Sequence, residues 1–513
     1  MKYLFLFQIG PVQTFIAQAR RTQDLFIGSY LLSELASAGV QAASAHPSFE
    51  AIFPLVEDGQ VKGGAPHRFA FLCDDDPTKV AEKVQSAIES RWQEGFVRPV
   101  GRLVWDAIGD GEWVSIFERQ AANWMEFYWV AVPYDSGNHG DSFKNASVAM
   151  AQRKYARTFH VLEEPGYKCT LTGMQSALMQ GERRKNEAEW NKLRGYLHDD
   201  RNEPKIIRRN ENLGTLALVK RLAAIALQRE GSPILDFEQF PSTTHIAKDD
   251  PDATEEPVGS KDVTGYIAVL HMDGDQMGKH LTGLSNLTAH QDFSSWLATF
   301  ADEGAATTIH NYGGQMGKLV YSGGDDVLAL LPMRHALRCA DELRKVFQEM
   351  TGCTASAGIA FTPSNLPLDR ALELAREAEE AAKEKYGRNA VVVLEAHGGG
   401  LMREAGGKWT IVDFIVQLQA LFEKNELSGK LGYDLLALDH DLYGDHLKAA
   451  RKSEIHRIAK RRTAEGVSYA ETVKSLIDNM INLVEEDKAV PTWADMANWA
   501  ILARFLAQGA KRQ

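Results

Sequence analysis

The chain has 513 residues, 44% hydrophobic and 25% charged, an ordinary globular balance with room for two to four domains. Its formal net charge of -12 excludes a nucleic-acid binder that works by overall electrostatics, so any RNA contact has to come from local basic patches or from bound subunits. Four cysteines, Cys73, Cys169, Cys339 and Cys353, form no CxxC pair, which argues for a reducing cytoplasm and against a disulfide framework. No apolar run is long enough to cross a bilayer, and the apolar start at residues 3–7 is too short for a signal-peptide core.

Residues 2–9 alternate and are apolar, predicting a strand, and GPVQTFIAQARRTQDLFIGSYLLSELASAG continues as a helical region interrupted at Gly28. Residues 67–73 predict a further strand. Asp74, Asp75 and Asp76 open a helix running to about Glu94, where acids are explained by the helix dipole rather than by a metal cluster. EFYWVAVPY, residues 126–134, closes this half as a strand. The pattern of strand, glycine turn and helix returns at residue 266, with Ile9-Gly10 standing where Asp273-Gly274 stand later, so the first copy of this repeat lacks the aspartate.

From 141 to 239 the pattern is helical and charged. Arg183, Arg184, Lys185, Lys192, Arg194, Arg201, Lys205, Arg208, Arg209, Lys220 and Arg221 make it a candidate for RNA contact, against the commoner reading of a solvated face. KDDPDATEEPVGSKD, residues 248–262, reads as an acidic linker or loop.

In GYIAVLHMDGDQMGKHL, residues 266–272 predict a buried strand, Asp273-Gly274-Asp275 its C-terminal turn and Met277 onward a helix. Asp275 reads as that helix's N-cap rather than as a third metal ligand. Lys279 sits in the first turn, where a helix N-terminus favours phosphate. In KLVYSGGDDVLALLP, residues 318–332, two apolar β-prone runs flank Ser322-Gly323-Gly324-Asp325-Asp326 as in a hairpin. The glycines tolerate positive φ and let a polyphosphate approach the backbone. Adjacent strand residues face opposite sides, so Asp325 and Asp326 share one site only if the turn breaks the alternation, and Asp325 is the stronger candidate. With the strand-borne Asp273 they form a candidate site for two Mg²⁺ or Mn²⁺ ions roughly 3.5 to 4 Å apart. The alternative is a surface hairpin with solvated aspartates.

Downstream, TASAGIAFT predicts a strand, LDRALELAREAEEAAKEKY a helix ending in Gly387-Arg388-Asn389, and residues 390–395 a last strand. Lys383 and Lys385 near the helix end are placed to reach a triphosphate or simply to be solvated. The remainder, after Gly407, is almost all helical pattern. It contains a second basic cluster of Lys448, Arg451, Lys452, Arg457, Lys460, Arg461 and Arg462, more readily a solvated helix face than an RNA contact.

The order strand, helix, hairpin, helix, strand, helix, strand is that of a palm domain of the nucleotide-cyclase type. DGDQMGK, YSGGDDVLALLP and AKEKYGRNAVVV, with IGPVQTFIAQARRTQDLFIGSYLLSEL and PHRF in the first half, resemble the large subunit of type III CRISPR effector complexes in its Cmr branch, over nearly the whole chain. Related diguanylate cyclases carry Glu-Phe where this chain has Asp326-Val327. The resemblance implies an α+β fold with two ferredoxin-like palm domains of the nucleotide-cyclase/polymerase type and interspersed helical domains. The boundaries are a first, non-catalytic palm over 1–140, a helical inter-palm domain over 141–247, the acidic linker over 248–262, a catalytic palm over 263–400 and a C-terminal helical docking domain over 401–513.

The implied activity is a target-RNA-activated nucleotidyltransferase that makes cyclic oligoadenylate, or a related adenylate messenger, from ATP by two-metal catalysis. Asp273 and Asp325 would hold the metals with Asp326 assisting, and Gly274, Lys279, Ser322, Gly323, Gly324 and Lys383 or Lys385 would contact the nucleotide. Implied partners are other Cmr-type subunits with guide and target RNA, in the cytoplasm and away from membranes. A catalytically silent scaffold subunit of the same ribonucleoprotein is the alternative, and a stand-alone cyclic-dinucleotide synthase acting on GTP a weaker one. Family members often carry a zinc knuckle where this chain reads KCTLTG. Thr172 stands in place of the second cysteine beside Cys169, so no zinc is predicted. Relatives often begin with an HD-type nuclease domain, whereas this chain starts at the first palm strand and His440-Asp441 lacks the surrounding histidines, so no HD nuclease activity is expected.

Overall fold

The computed structural model describes every residue except 63, 157–162, 181–182, 198–205, 232–239, 254–264, 398–399, 442–443 and 513. Arg201 and Lys205 of the basic run, and residues 254–262 of the acidic linker, lie outside the described residues. The chain divides into two units, Met1–Phe240 with Gly278–Thr299, and Pro241–Met277 with Phe300–Gln513.

Leu4, Phe5, Leu6, Phe7 and Ile9 are all almost wholly buried, so β1 (Tyr3–Gly10) is apolar on both faces and belongs inside a sheet. It lies there, between later strands. After β2 (Glu50–Phe53) comes a small hairpin of β3 (Val56–Glu57) and β4 (Gln60–Val61), then β5 (Arg68–Cys73) and β6 (Glu126–Pro133). The sheet order is β2-β5-β1-β6, antiparallel throughout. On one face Phe5 stacks on Phe71 at 5.1 Å and Phe7 on Phe69 at 5.2 Å, because the register sets each pair directly opposite. Gly39 of the helix Thr22–Ser44 lets Phe69 and Ile88 press against that helix. Leu4, Leu6 and Leu72 face the other way, onto Phe143, Ala146 and Met150 of the helix His139–Tyr155.

The second unit repeats the scheme. Its strands are β7 (Tyr266–Gly274), β8 (Lys318–Ser322), β9 (Asp326–Pro332), β10 (Ala355–Pro363), β11 (Ala390–Ala396) and β12 (Met402–Lys408), in the order β12-β11-β10-β7-β9-β8. All neighbours are antiparallel except β10 and β11. β10 and β11 are buried at every position, as strands covered on both faces must be. The helix Leu368–Glu384 packs on them.

Each unit therefore holds a four-stranded ferredoxin-like core in which the first strand lies between the third and the fourth, and the fold is α+β. In the second unit β11 and β12 extend that core, and the final helix Trp493–Arg512 packs along β12, with Trp499 Nε1 donating to the Gly406 carbonyl at 3.0 Å. The C-terminal helices so belong to the same compact unit as the second palm, while Gly278–Thr299 groups with the first: Gln291 Nε2 donates to the Ala51 carbonyl at 2.7 Å. Among the described residues, no helix is long and apolar enough to cross a membrane.

Candidate active site

β7 and β9 pair in a register that sets Asp273 directly opposite Asp326. Like charges at such a cross-strand position repel unless something cationic lies between them. Asp325 sits just ahead of β9, in the turn where Gly324 takes φ +103, and its carbonyl accepts from Gly274 N at 3.0 Å. A side chain at Gly324 would be strained there. Asp325 so lies in the turn, outside the strand pairing, and both hairpin carboxyls feel the charge of Asp273.

Around the aspartates stands a set of buried groups. Tyr321 donates its hydroxyl to Asp326 Oδ2 at 2.8 Å, and His271 Nε2 lies 3.3 Å from Asp326 Oδ1. His271 Nδ1 is 3.9 Å from Glu379 Oε2. The Lys383 ammonium bridges Asp273 and Glu379, the latter at 2.6 Å. Asp273 is held by Lys383 and Asp326 by Tyr321, so these two carboxylates have separate partners.

Burial, then the Asp273 charge, push the Asp325 and Asp326 carboxyls up to about 7, with Asp326 adding to the effect on Asp325. Burial lowers the His271 imidazole to about 4, so it is neutral at pH 7. Burial works against the Lys383 ammonium as well, but the hydrogen bonds and charges of Asp273 and Glu379 outweigh it and raise its pKa. The cluster carries more negative charge than one lysine offsets. Asp326 Oδ1 and Ser322 Oγ are buried without a hydrogen-bond partner, and Gly323 is exposed with no atom closer than 3.8 Å to where a Cβ would stand. Orphaned oxygens beside an open glycine turn suit hard cations and a phosphate chain.

Asp273, Gly274, Ser322, Gly323, Gly324, Asp325, Asp326 and Lys383 are brought together. Lys385 is not. It pairs with Glu404 of β12 at 2.6 Å and lies over the Tyr386 ring, because residues two apart on a helix point about 200° apart. Lys279 is exposed on the helix Met277–Gly283. Asp275 is no N-cap: its carboxylate accepts from Thr354 Oγ1 at 2.8 Å, Ser356 Oγ at 2.7 Å and Asn389 N at 2.9 Å, tying the end of β7 to β10 and to the turn before β11. Sequence reading missed His271, Tyr321 and Glu379. Periodicity carries a signal for two of them: His271 shares a strand face with Asp273, and Glu379 precedes Lys383 by one helical turn.

The basic run of the first unit is partly spent in its core. Lys220 donates to the Phe15 carbonyl at 2.7 Å, and Arg221 is buried against Asp24 and Glu211, so neither offers a surface to RNA. In the C-terminal cluster Arg451 pairs with Glu485 and Arg462 with Asp434.

Sheet order and carboxylate cluster together place the second unit in the palm class of domains, the one that nucleotidyl cyclases use. Residues 266–392 match the second palm domain of Cas10/Cmr2, and residues 4–96 the N-terminal region of the CRISPR-associated protein Cmr2. Two segments of the chain are thus similar to the corresponding domains of Cas10/Cmr2 proteins. Over 200 residues the chain is 30% identical to subunit Cmr2 of the Cmr CRISPR system of Pyrococcus furiosus; the match covers 32% of this chain and 22% of that relative, under a quarter of its length. A type III-B Cmr-beta structure in its apo state has the same fold with a TM-score of 0.72 at 14% identity, over 99% of this chain and 82% of the other. A Csm1-Csm4 cassette in complex with cA4 gives 0.52 at 14% identity, over 98% and 70%.

Proposed function

We propose that the second palm is a metal-dependent nucleotidyltransferase that converts ATP into cyclic oligoadenylate, or a related adenylate messenger, within an RNA-guided type III complex. The observation that carries this reading is the direct cross-strand pairing of Asp273 with Asp326, with Asp325 beside them in a glycine turn. Nothing in the packing of the sheet requires two acids at a hairpin tip with a third on the strand facing it. Two Mg²⁺ or Mn²⁺ ions held by Asp273, Asp325 and Asp326 would lower the pKa of an attacking 3′-hydroxyl and stabilise charge on the α-phosphate as pyrophosphate leaves. The chain's own groups do the rest. The Gly323-Gly324 turn lets phosphates approach the backbone, Ser322 Oγ donates to one, and Tyr321 fixes the orientation of Asp326. Lys383 shifts from Asp273 to the triphosphate once the carboxylates are neutralised, trading one anionic partner for another.

Assembly with Cmr-type subunits, guide RNA and target RNA is part of the same proposal. A Cmr-beta relative has been solved bound to cognate target RNA, and the Csm1-Csm4 cassette with cA4. The test is mass spectrometry of products from the assembled complex given ATP, Mg²⁺ or Mn²⁺ and matching target RNA. Asp325→Ala is expected to abolish the adenylate product while leaving assembly intact. Full synthesis by that variant sinks the assignment. No ATP binding in the presence of either metal supports the silent scaffold instead, and a product made only from GTP supports the dinucleotide synthase.

A further inference from the structure

The acid run at residues 74–76 divides its work three ways. Asp76 caps the helix Pro77–Trp92, accepting from Thr78 N and Lys79 N, as acids at a helix start are expected to do. Asp74 and Asp75 do something else. Cys73 ends β5, Asp74 follows it, and His46 lies in the turn between the helix Thr22–Ser44 and β2. One donor atom from each of His46, Cys73 and Asp74 lies within 4.8 Å of the other two, the one such group of His, Cys, Asp and Glu side chains among the described residues.

The tautomer of His46 follows from its neighbours. Ser48 N donates to His46 Nδ1 at 3.2 Å, and a backbone N–H can only donate, so Nδ1 carries the lone pair. The ring proton therefore sits on Nε2, which faces Asp75 Oδ2 at 3.4 Å. Besides the Ser48 N–H, that lone pair is approached by a thiol and a hydroxyl: Cys73 Sγ is 3.4 Å from Nδ1, and Ser48 Oγ lies 2.9 Å from Nδ1 and 3.5 Å from Sγ. Metal-bound imidazoles have this arrangement, one nitrogen toward the ion and the other N–H on a carboxylate that fixes the ring. The thiol is buried, the His46 side chain is 27% exposed and Asp74 is exposed, so an ion would lie at the rim with its outer position open to water.

We propose that His46 Nδ1, Cys73 Sγ and the Asp74 carboxylate form a binding site on the first palm for a borderline-soft divalent cation, zinc being the natural occupant. A nitrogen, a sulfur and one oxygen select zinc or cobalt over magnesium, in contrast to the all-oxygen aspartates of the second palm. Binding forms the sulfur–metal bond as the thiol proton passes to solvent, and both the Ser48 hydroxyl and the Ser48 backbone N–H give up Nδ1, the N–H turning to water. The expectation of no zinc came from the missing partner of Cys169. The donors here come from two stretches 27 residues apart in the chain, which no short spacing motif joins.

The test uses the full chain, stripped with chelator and titrated with Co²⁺. The expected result is one equivalent giving a thiolate-to-cobalt absorption band, displaced by Zn²⁺, unaffected by excess Mg²⁺ and retained in Asp325→Ala. Cys73→Ser removes the band, and His46→Ala weakens binding at least about tenfold. Because a buried cysteine variant can misfold, Asp74→Asn, on an exposed residue, is the second arm: weaker Co²⁺ binding with unchanged thermal unfolding in chelator. The absence of a band in the native chain overturns the proposal, as does a band that survives in folded Cys73→Ser or an affinity unchanged in Asp74→Asn.

Discussion

Asp24 and Arg221 meet in the core of the first unit with 3% and 2% of their side chains exposed. Arg221 donates to both carboxylate oxygens, at 2.6 and 2.7 Å, and to Glu211 at 3.0 Å. Burial alone would push the Asp24 carboxyl up, but the charge and hydrogen bonds of Arg221, helped by Lys220 and Arg21, hold it below the usual range. Removing the guanidinium takes the main cation from two buried carboxylates, so Arg221→Met is expected to cost about 3–5 kcal/mol at neutral pH, read from the denaturant midpoint. The sign with pH follows from the depressed folded value. The stabilisation is full above about pH 4, the unfolded carboxylate range, and is lost as pH falls through the folded pKa. In the variant burial prevails and the carboxyl titrates higher, so its stability deficit shrinks on acidification. A deficit independent of pH rules this account out. Sequence reading placed Arg221 and Lys220 on a charged surface because composition says nothing about direction; both lie on the buried helix Thr215–Arg229, whose cations find carboxylates and carbonyls far off in the chain.

The helix Leu368–Glu384 reaches the site through a glycine. At Gly358 of β10 an added Cβ would stand 2.2 Å from the Ala375 carbonyl oxygen and 2.2 Å from Glu379 N, so the helix backbone rests directly on the strand. That contact sets how far Glu379 and Lys383 stand from Asp273. Gly358→Ala has to lift the helix, and the expected cost is about 1–3 kcal/mol of overpacking, seen as a lower Tm, with nucleotide product falling more steeply than the folded fraction. Equal losses of product and folded protein would separate this contact from the site. Much of this element was legible in sequence: the strand, the helix and the two lysines near its end follow from periodicity and spacing. Which lysine faces the aspartates was not, since Lys383 and Lys385 differ only in helical phase against a strand whose position one sequence does not give. The role of Asp275 was hidden for the same reason, its partners Thr354 and Ser356 lying some eighty residues downstream.

In the whole molecule the two palm cores share one strand order, and both central strands end in glycine, β1 at Gly10 and β7 at Gly274. The repeat was readable because a buried central strand and a glycine turn leave a pattern even where the aspartate is missing. The extent of the second unit was less so, because the helical pattern after residue 407 marks a change of element and no break in packing. Trp493, Met496, Trp499 and Leu506 are buried along the final helix, and Tyr386 donates to Asp495 Oδ1 at 2.8 Å. Truncation before Trp493 is therefore expected to abolish cooperative unfolding of the second palm, followed by circular dichroism on heating. A truncated chain that melts at the native temperature would show the helix to be an appendage.

The segment Gly278–Thr299 belongs to the first unit although the strands on either side of it, β7 and β8, belong to the second. The polypeptide thus changes units three times, and one of those passages begins four residues after Asp273. Neither half is a continuous cassette that recombination could lift out and reuse alone. The segment carried by the first unit is thus joined directly to the end of the strand that holds Asp273, a continuity written into the order of the chain.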